Sequence, residues 1–132
     1  MSITWAKAGM VVRNDLTKSN ETLEPSSGYA IVAVTPENGF VFQWDSNGDG
    51  LLDKTVNTGK TNYPAWLKLE RDGTTYTASY RTDGGDWKTI HSATIPSASE
   101  TQDVGLFVTA TNAYKHGTIS KVIFADFDIK HP

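Results

Sequence analysis

Cysteine is absent from all 132 residues, which removes disulfide scaffolds, Cys-ligated zinc and thiol catalysis together. The absence leaves the compartment open, since many secreted domains also have none. An excess of positive charge is missing too: 12 Lys plus Arg stand against 15 Asp plus Glu, for a formal net charge of −3. With no basic field to draw phosphates, neither nucleic acid nor an anionic membrane is expected as partner. No apolar run approaches the ~20 residues that span a bilayer. The opening Met1-Ser2-Ile3-Thr4-Trp5 lacks the charged and apolar regions of a secretory signal, so an extracellular destination implies a longer precursor. Repeats of fixed period and low-complexity tracts are also lacking, and solenoid and propeller readings lapse with them.

What is abundant is the β-branched side chain: 17 Thr, 9 Val and 7 Ile make a quarter of the chain. Such residues suit a pleated, half-buried surface better than a helix. Short alternating or apolar runs are punctuated by Gly, Asp, Asn and Pro at nearly regular intervals, which predicts an all-β, two-sheet antiparallel sandwich in one domain over 1–132. Strands are expected near 8–13, 29–35, 39–45, 51–57, 65–71, 74–81, 86–95, 104–111 and 119–129. Asp72-Gly73 and Asp83-Gly84-Gly85-Asp86 mark turns that join 65–95 into a meander, while 14–27 reads as a surface loop. Alternation sends Phe40, Phe42 and Trp44 to one face, and Val41, Gln43 and Asp45 to the other. Trp5, Trp66 and Trp87 fall within or beside strand patterns and are expected in the core.

Catalytic patterns are missing. There is no His-Glu-x-x-His, no Gly-x-Ser-x-Gly elbow and no phosphate-cradling Gly-rich loop. The alternating Glu-x-Asp-x-x-Glu of a glucanase cleft, which would set an acid and a nucleophile on one strand face, does not occur. Asp126 and Asp128 alternate without a third partner and read as solvent-facing. His91, His116 and His131 are scattered singly, as surface histidines are.

The sharpest chemical signal is Asp45-Ser-Asn-Gly-Asp-Gly-Leu-Leu-Asp53. Asp45, Asn47, Asp49 and Asp53 occupy positions 1, 3, 5 and 9, Gly50 is at 6, and the Leu51 carbonyl is available at 7, which is calcium-loop spacing. A hard cation needs several oxygens at ~2.4 Å, and a Gly-permitted turn lets alternate residues converge on it. The loop resembles the start of an EF-hand or dockerin loop and the Asp-rich loops of thrombospondin-type repeats. Position 12 is Val56, so the bidentate carboxylate is missing and the site is expected to be weak. The competing reading is a solvated Asp/Asn/Gly hairpin loop.

Five strings together carry a family resemblance: Trp5-Ala-Lys-Ala-Gly-Met-Val-Val-Arg-Asn-Asp-Leu16, Gly39-Phe-Val-Phe-Gln-Trp44, Pro64-Ala-Trp-Leu-Lys-Leu-Glu-Arg-Asp-Gly73, Tyr80-Arg-Thr-Asp-Gly-Gly-Asp-Trp87 and Val104-Gly-Leu-Phe-Val-Thr-Ala110. In order and spacing they resemble the concanavalin/laminin-G-like modules appended to secreted polysaccharide-active enzymes. The resemblance implies a jelly-roll sandwich, shortened at its N-terminus, that binds a polysaccharide without catalysis. It also implies a secreted or cell-surface location as part of a larger protein, with a monomer as the default. A sugar site needs an exposed aromatic for stacking and planar amide or guanidinium groups for orientation. Strand ends offer Arg13, Gln43 with Trp44, and Asn112 with Tyr114, and the resemblance implies binding-face positions at Arg13, Gln43 and Asn112. Against this stands the reading in which Arg13 and Gln43 satisfy buried backbone groups and Trp44 shelters the acidic loop. Two other functions remain open: a glycoside hydrolase or lyase domain with an unrecognised site, and a protein-interaction or adhesion module.

Overall fold

Alternation along 40–44 decides how the first sheet faces, and the structure turns the aromatic set inward. That structure, a computed structural model, describes residues 7–18, 26–36, 38–59, 64–109 and 127–130. Its strands are β1 (Lys7–Arg13), β2 (Ala30–Val34), β3 (Phe40–Trp44), β4 (Lys54–Asn57), β5 (Ala65–Asp72), β6 (Thr75–Thr82), β7 (Lys88–Thr94) and β8 (Asp103–Thr109). Among the described residues they form two antiparallel sheets, ordered β4-β3-β2-β1-β8 and β5-β6-β7. This is the predicted two-sheet sandwich.

The core lies between the sheets. Val12, Ala30, Val32, Phe42 and Trp44 meet Tyr76, Ala78 and Ile95, and Phe40 stacks on Tyr80 with ring centroids 4.2 Å apart. Burying each large side chain contributes roughly 1.5–3 kcal/mol. The reverse face of the larger sheet is also closed at Ile31, Ala33 and Val41, in keeping with the two-sided apolar pattern of its strands.

Several expected boundaries move. The strand placed at 51–57 begins only at Lys54, because the Asp53 amide donates to the Trp44 carbonyl at 3.1 Å and closes the acidic loop first. The β5–β6 turn is Gly73-Thr74 rather than Asp72-Gly73, since the register pairs Asp72 with Thr75. That register sets glycine at the first turn position with a φ of 62°, as the tight hairpin requires. Along β7 the register jumps from Ala78↔His91 to Ser79↔Thr89, leaving Ile90 as an extra residue. The bulge lets Ile90 pack on the core while neighbouring His91 stacks on Trp44. Trp5, Asn112, Tyr114, His116, Asp126, His131 and residues 119–126 of the last expected strand lie outside the described residues, and 127–130 carry no strand. Asp128 is exposed beside Lys130, as expected.

Candidate functional site

The acidic loop follows β3 and is organised by its own side chains. Asp45 is fully buried. Its Oδ1 accepts the amides of Asn47 (3.2 Å) and Gly48 (2.8 Å), and its Oδ2 that of Gly50 (2.8 Å). Asn47 Oδ1 then accepts the Asp49 amide at 3.2 Å, and Asp49 Oδ1 the Leu51 amide at 2.9 Å. Three successive Asx turns thus wind alternate oxygens along one loop, and the bend is completed by Gly50 at a φ of 83°, a conformation that a Cβ disfavours. Asp53 turns elsewhere: its Oδ1 accepts the Ser46 amide at 2.6 Å and its Oδ2 accepts the Ser46 hydroxyl. Among the described residues no three His, Cys, Asp or Glu side chains converge as a metal cage.

The Ser46 hydroxyl and amide hold the Asp53 carboxyl below its ordinary value, and the Thr17 hydroxyl and amide do the same for Asp15. A carboxyl depressed by folding adds stability that is present above its unfolded value near 3.8 and is lost as pH falls through the lower folded value. Asp53→Asn should therefore unfold at a lower temperature than the parent at neutral pH, with the gap closing as the solution is acidified through that window. Thermal melts across pH check this, and a gap independent of pH would contradict it.

Arg13, at the end of β1, is the fastening under the loop. It is 4% exposed. Its Nε donates to the Ser26 carbonyl and one terminal nitrogen to the Gly50 carbonyl, both at 2.7 Å, while the guanidinium lies 4.0 Å from the Tyr29 ring centroid. Burial lowers its pKa, and the nearby Tyr29 and Asp45 oppose that shift. Next to it, Asn14 Oδ1 accepts from the Ser99 amide (2.8 Å) and from Gln102 Nε2 (2.9 Å), while its Nδ2 donates to the Ser97 carbonyl (2.8 Å). Gln102 also donates to the Gly28 carbonyl at 2.8 Å and accepts from Arg71 (3.1 Å) and from the Tyr76 hydroxyl. A polar network therefore ties the loops at this end of the sandwich together.

The strand-end residues do not meet on one surface. Arg13 faces inward to backbone carbonyls. Trp44 is 8% exposed and stacks between Phe42 (centroids 4.8 Å apart) and His91 (5.3 Å). Gln43 is half-buried on the opposite sheet face and donates to the Thr55 hydroxyl at 3.0 Å. Asn112 and Tyr114 lie outside the described residues.

An exposed aromatic surface exists elsewhere, at residues expected in the core. On the outer face of the three-stranded sheet, Trp66 pairs across strands with Arg81, whose guanidinium is 4.3 Å from the indole centroid. Trp87, just before β7, is 42% exposed and lies 5.5 Å from the same guanidinium. Lys68 Nζ stands 4.5 Å from the Trp87 ring centroid and 3.5 Å from Glu70 Oε1. The signal was available in the run Ala65-Trp-Leu-Lys-Leu-Glu70: its alternation puts Trp66 with Lys68 and Glu70, opposite the core-facing Leu67 and Leu69. The chain matches no protein-family model, no curated protein and no solved structure.

Proposed function

We propose that this domain is a non-catalytic carbohydrate-binding module of the concanavalin-like jelly-roll kind. It acts as a monomeric part of a larger secreted or cell-surface protein, with calcium held by the 45–53 loop. The observation that carries the reading is the outward-facing Trp66–Arg81–Trp87 row. Sugars present apolar C–H faces ringed by hydroxyls, and indole faces beside unengaged N–H donors complement both. That the domain binds rather than cleaves follows from the missing nucleophile and paired-carboxylate patterns of the sequence. Incubation with a panel of polysaccharides should give retention on at least one and no release of reducing ends. Turnover abolished by a single substitution would contradict the reading, and so would retention on none.

Calcium is supported by the winding of the Asp45, Asn47 and Asp49 oxygens and by the room left on Asp45. A carboxylate has about four lone-pair sites, and three are taken by amides. Two features make the site weak: position 12 is Val56, and the Arg13 cation already faces Gly50. Affinity therefore belongs with extracellular modules, at a dissociation constant of ~10⁻⁴–10⁻³ M. Saturation about tenfold above a millimolar constant stabilises the folded state by about 1.4 kcal/mol, a rise of a few degrees in Tm. The rise should vanish with chelator and in Asp49→Ala. A Tm indifferent to calcium at about 10 mM, tenfold above that constant, would remove the metal from the account.

A further inference from the structure

Arg81 is the one described side chain with a buried polar atom lacking any hydrogen-bond partner, its Nε. The guanidinium lies between two indoles, 4.3 Å from the Trp66 ring centroid and 5.5 Å from that of Trp87, and no other described residue offers it a hydrogen bond or an ion pair. A guanidinium has five N–H donors in a planar fork and stays charged at any accessible pH. Buried donors without acceptors are uncommon because each costs about 1–3 kcal/mol of lost hydration. One carboxylate of this face is already engaged. Glu70 is paired with Lys68 at 3.5 Å.

Nε itself is buried, so a ligand reaches the guanidinium through its terminal nitrogens, which are neither buried nor bonded among the described residues. Three features set the chemistry of that ligand. A planar fork is matched best by a carboxylate, which takes two parallel N–H bonds at once. The flanking indoles call for a flat apolar face at the same place. The row runs from β5 across β6 to the start of β7, so at ~4.8 Å per strand it extends about 10 Å, enough for a short run of linked rings. A sugar residue that presents a C–H face and a carboxylate together is a uronic acid. Two cations, Arg81 and Lys68, against one carboxylate, Glu70, leave this face with a local excess of positive charge in a chain of net charge −3.

We propose that the outer face of the three-stranded sheet takes a uronate-containing polysaccharide, with Arg81 pairing the carboxylate and Trp87 stacking the ring. This refinement rests on the carbohydrate-binding reading above.

The test is calorimetric titration of the full chain with oligogalacturonate, a neutral mixed-linkage β-glucan and dextran sulfate, at low and high salt. Oligogalacturonate should bind tightest and weaken with salt. Arg81→Gln should lose about tenfold or more of that affinity while remaining folded, and Arg81→Lys should fall between, because the ammonium keeps the charge but not the fork. On the unaltered domain, the Arg81 Nε–H and Trp87 indole N–H resonances should shift on titration, so the proposal stays testable if a variant fails to fold. Three results overturn it: preference for the neutral glucan with Arg81→Gln unimpaired, binding of dextran sulfate alone, or resonances that stay still while oligogalacturonate binds. The first leaves the carbohydrate-binding reading standing; binding of none of the three, joined to retention on no other polysaccharide, removes both.

Discussion

Replacing Trp44 by alanine is expected to lower the unfolding free energy by about 3–5 kcal/mol, a large share of the roughly 5–15 kcal/mol that a domain of this size has. The indole bridges the two sheets: it extends from β3, stacks on Phe42 beside it, and meets His91 of β7 across the interface. Truncation removes buried aromatic surface and opens a cavity that strands pinned by their ladders fill only in part. Urea denaturation should show a lower midpoint with an unchanged slope. A loss below about 1 kcal/mol, as expected of an exposed aromatic, would contradict the interior placement.

Arg13→Ala is expected to cost a similar amount, about 3–5 kcal/mol, by a different route. Its guanidinium binds the carbonyls of Ser26 and Gly50, lies over Tyr29, and sits within electrostatic reach of buried Asp45. Alanine leaves those carbonyls without their donors and takes away a cation that interacts with buried Asp45, and an orphaned polar group is expensive away from water. Arg13→Lys keeps the charge but cannot reach two divergent carbonyls with one fork, so it should recover only part of the loss. Denaturant melts of the two variants test this. Equal stability of Arg13→Ala and parent would mean that Arg13 is not the fastening of the loop.

Much of the fold was legible because period-2 alternation is a local property of the chain. The string at 40–44 sorts its side chains between two faces, and the structure puts Phe42 and Trp44 of one set in the core between the sheets. Boundaries were legible only where turn residues alone decide them: β4 starts late because a backbone bond from Asp53 to Trp44 outranks the apolar character of Leu51 and Leu52. Arg13 reads both ways in the sequence, as sugar ligand and as buried donor. The sequence could not choose, since its partners Ser26 and Gly50 are 13 and 37 positions away. The acidic loop after Trp44 points to a binding face, whereas its alternation with Phe40 and Phe42 puts it with the aromatic set that the structure buries. The reverse happened with Trp66 and Trp87. As large aromatics near strands they are expected in the core, whereas the company of Lys68 and Glu70 on the face of Trp66 argues for solvent. Gln102, which links Asn14, Gly28, Arg71 and Tyr76, left no sequence signal, because a single glutamine in a loop is unremarked until its partners are brought together by the fold.

The central claim is that sugars bind on the outer face of the three-stranded sheet, and affinity electrophoresis of the parent and Trp87→Ala in gels containing a retained polysaccharide tests it most directly. Trp87 is 42% exposed and contacts Lys68 and Arg81, so its removal should change stability little while taking away a stacking surface worth ~1–3 kcal/mol, or about five- to a hundredfold in affinity. The account predicts that the parent is retarded and that Trp87→Ala, folded and melting near the parent temperature, runs almost as it does without polysaccharide. Equal retardation of the two proteins would contradict it.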